Sequence, residues 1–405
     1  MVSWFVGAGF TPAFNFLMKK LFLVLLLLTV VPLLAIEKEP LQEYRSRREK
    51  LAERIKGNIL VLKAAPEQEL VEYQPEDNFY YLTGFDEPNA ILLLNAAATP
   101  HEEILFIPDR KPSEERWTGP KLGPGPEAEK FTGFERVLPI PEFELELKKA
   151  SEAGNSVYEL KEAAADIAYL RQTKSPTEIA LLDKAIKITM AAHRAAAKAI
   201  APRVMEYEVE AALEYEFRRA GAERPGFPSI VGSGLFSTIL HYEKGTRRME
   251  AGDVVVVDIG AEYSGYSADI TRTYPVSGKF SPRQREIYQI VLDAQKAALA
   301  EVKPGVTTRD VHRAAMAHIQ SKGYDKYFIH GTSHHIGLDV HDVGSMVRPL
   351  EPNMVITVEP GIYIPEEQLG VRIEDDVLVT PTGYRMLSTF PREIREIEAL
   401  VQQRK

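Results

Sequence analysis

Between residues 37 and 171, short apolar runs alternate with polar stretches. Residues 58–62, 90–94 and 104–107 read as strands, and residues 41–55 as a helix. Elements of this length and order predict a small α/β domain. Residues 108–133 are rich in Pro and Gly and predict a long exposed loop without chemistry of its own.

A different pattern starts at Ser175-Pro176-Thr177-Glu178. A capping Ser, a Pro at the first helical position and a Glu three residues after the cap predict a helix start. Ile179, Leu182, Ile186 and Met190 then recur at helical spacing. A second helix over 205–220 ends at Gly221, which suits a left-handed terminal position. Strand-like runs follow, including 254–259. Ser281-Pro282-Arg283-Gln284 opens the same order again, with a helix over 308–322 ended by Gly323 and further strand-like segments. Two successive helix-helix-strand units predict an internally duplicated α/β domain over 173–405, preceded by a domain over 36–172.

Upstream of both, Met18-Lys19-Lys20 precedes the apolar run 21–36 and the charged Glu37-Lys38-Glu39. This is the pattern of a secretory signal. The run is short for a membrane span of roughly 20 residues, so residues 1–35 are expected to be removed after Ala35, with Met18 as an alternative start. Left uncleaved, the segment would anchor the chain to a membrane. The expected location is the periplasm or the exterior. A formal net charge of -9, with no Lys/Arg cluster beyond the N-terminus, argues against a nucleic-acid partner. Cysteine is absent, so disulfides and thiolate chemistry are excluded, and any metal must sit on oxygen and imidazole.

Candidate oxygens and imidazoles are present. Residues 254–257 form a Val run that ends in Asp258, and so apolar a strand does not normally carry a carboxylate without a partner. A turn at Ser264-Gly265 is expected to bring Asp269 roughly opposite Asp258, and adjacent carboxylates repel unless a cation or proton lies between them. Alone, the two are more simply a turn acid and a strand-edge acid. They are not alone: His330, His334, His335 and His341 put four of nine histidines into twelve positions. Such a cluster in a glycine-containing segment points to a ligand with proton-transfer groups. Glu359 closes the apolar run 355–358 before Pro360-Gly361. Arg372 and Glu374, two apart, share one face of a strand, either as an ion pair or as a metal ligand beside the cation that screens an acidic centre.

Asp258, Asp269, His334, Glu359 and Glu374 together resemble the five-ligand set of the pita-bread metallopeptidases, family M24. HGTSHHIGLDVHDVG, VEPGIY and VRIEDD are most similar to aminopeptidase P, the Xaa-Pro aminopeptidases. NFYYLTGFDEPN, residues 78–89, resembles the N-terminal domain of the proline-specific members. His335 and the long signal-like N-terminus are not general features of that family.

The resemblance implies an N-terminal α/β domain of creatinase/prolidase type, followed by a pseudo-duplicated pita-bread catalytic domain. It implies an aminopeptidase that removes the first residue of a peptide with proline second. An Xaa-Pro dipeptidase is the alternative, and a noncatalytic peptide-binding protein a more remote one. Two divalent ions are implied, with Mn2+ expected and Co2+ or Zn2+ as alternatives. Asp269 and Glu374 would bridge them, Asp258 would complete one shell, and His334 with Glu359 the other. A bridging hydroxide would be the nucleophile, and Glu359 would also shuttle the proton to the leaving nitrogen. His341 and His330 would stabilise the oxyanion, Arg372 would screen the centre, and His241 would join His341 and His330 in binding substrate. A homo-oligomer is implied as well. His193, His312 and His318 fall on helices and are expected to face solvent, and His101 is expected in a loop.

Overall fold

The computed structural model of the protein describes residues 37–152 and 154–403. The expected signal segment lies outside the described residues. Among the described residues, no helix is long and apolar enough to cross a membrane.

The first domain is a five-stranded mixed sheet of β1 (Ile59–Lys63), β2 (Ile91–Asn95), β3 (Glu102–Ile107), β4 (Val137–Pro139) and β5 (Val157–Tyr158), in the order β4-β3-β2-β1-β5. Side chains alternate across a strand, and β1 uses both faces. Leu60 and Leu62 join Leu51 of α1 (Leu41–Arg54) and Ile167 of α6 (Leu160–Arg171), whereas Ile59 and Val61 join Phe106 and Phe143. Phe143 opens α5 (Phe143–Ser151) on that second face. The short α2 (Asp77–Thr83) leads into the sheet. The expected loop over 108–133 contains two short helices, α3 (Glu115–Thr118) and α4 (Pro126–Thr132).

The second domain opens with α7 (Pro176–Ala199). Its cap Ser175 accepts the backbone N–H of Glu178, whose side chain reaches back to the Ser175 N–H. The long helices α8 (Glu206–Arg219), α9 (Pro282–Glu301) and α10 (Thr308–Ser321) cover antiparallel sheets. Gly221 and Gly323 follow α8 and α10 with positive φ, at 94° and 81°. The first half supplies β6 (Arg224–Pro225), β7 (Ile230–Ser233), β8 (Val254–Ile259) and β11 (Ile270–Pro275), the last three ordered β11-β8-β7. A small hairpin, β9 (Ala261–Tyr263) and β10 (Tyr266–Ser267), turns at Ser264-Gly265. The second half supplies β12 (Val355–Val358), β13 (Gly361–Ile364), β14 (Leu369–Arg372), β15 (Asp375–Thr380) and β16 (Gly383–Met386), then α11 (Ile394–Gln402). Two successive helix-pair and sheet units are thus present.

The helix histidines depart from expectation. His193 is fully buried: Nε2 lies 2.9 Å from the Ile270 carbonyl and Nδ1 3.0 Å from Tyr274 Oη. His312 is half-buried, with Nδ1 2.9 Å from Thr332 Oγ1, and His318 is half-buried with Nε2 shielded. His193 falls two turns after Ile186, within the apolar stripe that α7 buries, whereas His312 and His318 flank the buried stripe of α10.

Candidate active site

Asp258 lies in β8, whose six residues are all buried. Its cross-strand partner is Thr271, not Asp269. Asp269 sits two residues before Thr271, so the hairpin returns the chain slightly out of the expected register while keeping both acids on one face. Its N–H donates to Asp376 Oδ2 at 3.1 Å.

The second half brings the remaining groups. His334 runs beside β12: its N–H donates to Thr357 Oγ1 at 3.2 Å, and the Thr357 N–H donates to the His334 carbonyl at 2.9 Å. Glu359 follows β12, with its N–H on the Thr332 carbonyl at 2.8 Å. Arg372 ends β14, and Glu374 lies just beyond it rather than within a strand. Glu374 is tied to the first half: its N–H donates to the Thr271 carbonyl at 3.1 Å, and its Oε2 accepts Thr271 Oγ1–H at 2.7 Å.

All nine predicted site residues line one cavity of about 580 Å³: His241, Asp258, Asp269, His330, His334, His341, Glu359, Arg372 and Glu374. His334 Nε2 is 3.5 Å from Asp269 Oδ2, 3.6 Å from Glu359 Oε1 and 4.0 Å from Glu374 Oε1. One ligand atom each from Asp269, His334 and Glu374 falls within 4.8 Å of the others. The His334 and His341 ring centroids are 4.5 Å apart, and those of His241 and His341 6.5 Å.

The electrostatics are those of an acidic centre in which Arg372 is the cation paired with a carboxylate, Asp258, against four acids. Burial, then Glu374, push the Asp269 carboxyl well above its ordinary range, and the same two causes act on Glu359. Burial, then Asp258, push Glu374 up to about 8. Burial holds His334 down at about 4, so the ring is neutral and its Nδ1–H donates to the His335 carbonyl at 3.0 Å. Nε2 is then the lone-pair nitrogen that faces the acids. Three buried oxygens, Asp258 Oδ1, Asp269 Oδ1 and Glu374 Oε1, accept no hydrogen bond. Buried carboxylate oxygens without donors are costly, and divalent cations would satisfy all three at once. The donor set fits the ions the sequence implied.

Three supporting residues were not singled out in the sequence. Tyr363 Oη lies 2.8 Å from His330 Nε2 and accepts Arg372 Nη1–H at 2.9 Å. Thr271 orients Glu374, and the buried Arg272 donates to the Glu374 carbonyl at 2.6 Å and to Asp375 Oδ1 at 2.7 Å. Tyr363 stands in the VEPGIY motif; the strand periodicity of β13 could have marked it, but Thr271 and Arg272 sit in an unremarkable run. His335 is buried beside the site without lining it.

The family model described as Metallopeptidase family M24 matches residues 180–381, and that described as Aminopeptidase P, N-terminal domain matches residues 44–158. The Xaa-Pro aminopeptidase of Escherichia coli is 36% identical over 430 residues, covering 89% of this chain and 97% of that protein. An Xaa-Pro dipeptidase of Pyrococcus horikoshii is 41% identical over 269 residues, covering 65% of this chain and 75% of that protein. A solved structure of E. coli aminopeptidase P with the inhibitor Pro-Leu matches with a TM-score of 0.82 at 34% identity, covering 90% of this chain and 99% of that one. With both domains matched and the similarity extending over almost the whole length of an Xaa-Pro aminopeptidase, the chain belongs to the aminopeptidase P group of metallopeptidase family M24.

Proposed function

We propose that this metallopeptidase holds two divalent cations, Mn2+ by preference, and removes the first residue from peptides whose second residue is proline. The observation that carries the reading is the cluster of four acids and one imidazole, with three buried carboxylate oxygens lacking donors, in a cavity shared with His241 and His341. Asp258, Asp269, His334, Glu359 and Glu374 would hold the ions, with Asp269 at 3.5 Å and Glu359 at 3.6 Å the acids nearest His334 Nε2. When bound, the ions would supply Lewis acidity and lower the pKa of the attacking water.

The remaining work falls to side chains. Glu359 takes the proton of the attacking water and returns it to the departing proline nitrogen. Arg372, 2.6 Å from Asp258 Oδ2, offsets the negative charge of the centre. The two ring nitrogens of His330 are engaged by the Gly331 carbonyl at 2.7 Å and Tyr363 Oη at 2.8 Å. His341 is therefore the imidazole assigned to the developing oxyanion, and His330 holds the wall of the pocket. His241 borders the substrate beside His341.

Purified Mn-loaded protein should cleave Xaa-Pro-Yaa peptides as well as Xaa-Pro dipeptides. Turnover confined to dipeptides would instead establish the second reading, an Xaa-Pro dipeptidase, which the similarity to the P. horikoshii enzyme favours. Export is proposed on the residue 18–36 pattern alone; N-terminal sequencing of the protein recovered from cells tests it.

A further inference from the structure

Next to His341 lies a buried group that the mechanism does not use. Asp342 Oδ1 accepts Arg171 Nη2–H at 2.6 Å and the Val343 N–H at 2.9 Å, while Oδ2 accepts Lys174 Nζ–H at 2.7 Å. Arg171 is the last residue of α6, in the first domain. It also donates to Asn78 Oδ1 at 2.8 Å and Asp77 Oδ2 at 3.1 Å in α2, and Lys174 Nζ donates to the Arg171 carbonyl at 2.7 Å. Two cations and two carboxylates thus balance at the seam between the domains. None of the four lines the catalytic cavity among the described residues.

Buried ion clusters stabilise a fold poorly for what their desolvation costs, so what this one holds in place matters. The Asp342 N–H donates to the His335 carbonyl at 3.0 Å, and the same carbonyl accepts His334 Nδ1–H at 3.0 Å. The cluster therefore grips the backbone group that sets the His334 tautomer and aims its Nε2 at Asp269, Glu359 and Glu374. Gly337 permits the approach, since a side chain there would collide with Asp342 Oδ2 and Lys174 Nζ. The chain beyond Asp342 is tied to the first domain as well: Arg348 Nη1 donates to Gln172 Oε1 at 2.9 Å, and its guanidinium stacks 3.9 Å over Tyr169.

We infer that Asp342, clamped by Arg171 and Lys174, is a positioning residue for His334, so that the first domain tunes metal affinity and turnover from outside the cavity. The inference rests on His334 being a metal ligand. The parent protein's own Mn2+ binding and turnover test that reading, and the ratio of variant to parent tests this one.

The experiment uses the full mature chain with Asp342→Asn, Arg171→Met, Lys174→Met and Arg171→Lys. It measures the Mn2+ dissociation constant by calorimetry, kcat and KM per metal-loaded site, and the thermal midpoint. Asp342→Asn and Arg171→Met are expected to weaken Mn2+ binding and lower kcat by about 10- to 100-fold, as loss of a partner behind a metal ligand does, with KM changing less. Arg171→Lys restores the charge and should recover part of the loss relative to Arg171→Met. Should Asp342→Asn not fold, Arg171→Met and Lys174→Met carry the same criterion. Folded variants whose Mn2+ affinity and kcat both stay within about twofold of the parent, whatever their thermal midpoint, would overturn the inference. So would failure of all three charge-removing variants to fold, because the cluster would then serve the fold alone.

Discussion

Arg372 Nη2 lies 2.6 Å from Asp258 Oδ2, so the guanidinium that ends a strand of the second half is buried against the carboxylate of a strand in the first. Burial opposes its charge, and Tyr363, Asp258 and Glu374 together outweigh that opposition, holding Arg372 well above its ordinary range. It stays charged at any working pH.

Arg372→Met removes this charge and leaves Asp258 buried without it. Loss of one member of a buried pair typically costs about 3–5 kcal/mol. Urea unfolding of the metal-free protein should show a lower midpoint by that order with an unchanged slope. A shift below about 1 kcal/mol would mean that solvent in the cavity already screens the pair.

Asp269→Ala should abolish metal binding and turnover together, because this carboxylate lies closest to His334 Nε2. Elemental analysis and peptide cleavage check it. Retained turnover would remove Asp269 from the bridging position.

His341→Ala should leave the bound metal unchanged and lower kcat by roughly 10²–10³, the usual loss for an oxyanion donor. Metal stoichiometry and steady-state kinetics separate the two effects. Equal losses of metal and rate would make His341 a support of His334 instead, since their rings are 4.5 Å apart.

The pH dependence of the metal-free protein follows from groups acting in opposite senses. Glu374 titrates near 8 in the folded protein, and Asp269 and Glu359 are raised, first by burial. Such carboxyls bind protons more tightly folded than unfolded, so their contribution is lost as pH rises through the folded value. His330 and His334, held near 4 by burial, lose stability as pH falls from about 6.5 toward 4. Between about pH 6.5 and 8 only the carboxyls act, and the thermal midpoint without metal should fall. Binding a cation must displace those protons, so calorimetry at pH 7 in buffers of different ionisation heat should detect proton release. Heats independent of buffer would contradict the raised Glu374.

Much of this was legible in residue order. Ser175, Pro176 and Glu178 announced α7, and the Val run into Asp258 announced β8, because both signals are local. Of the groups predicted from strand ends and the histidine segment, all but His335 line one cavity. Long-range geometry was less visible. The pairing of Asp258 with Thr271 rather than Asp269 depends on where the hairpin closes, and the burial of His193 on what packs against α7. The Asp342 cluster escaped notice because Arg171, Lys174 and Asp342 look like ordinary surface charges until the fold brings 171 and 342 together.

The division of the centre between halves has a mechanical consequence. Asp258 and Asp269 come from one half, and His334, Glu359 and Glu374 from the other, so neither half holds a complete site. Ions seated among them would tie together positions far apart along the chain, stabilising the folded seam by binding to it alone as well as completing the chemistry. Chelation would then loosen the seam itself, and with it the shape of the cavity that the peptide must enter.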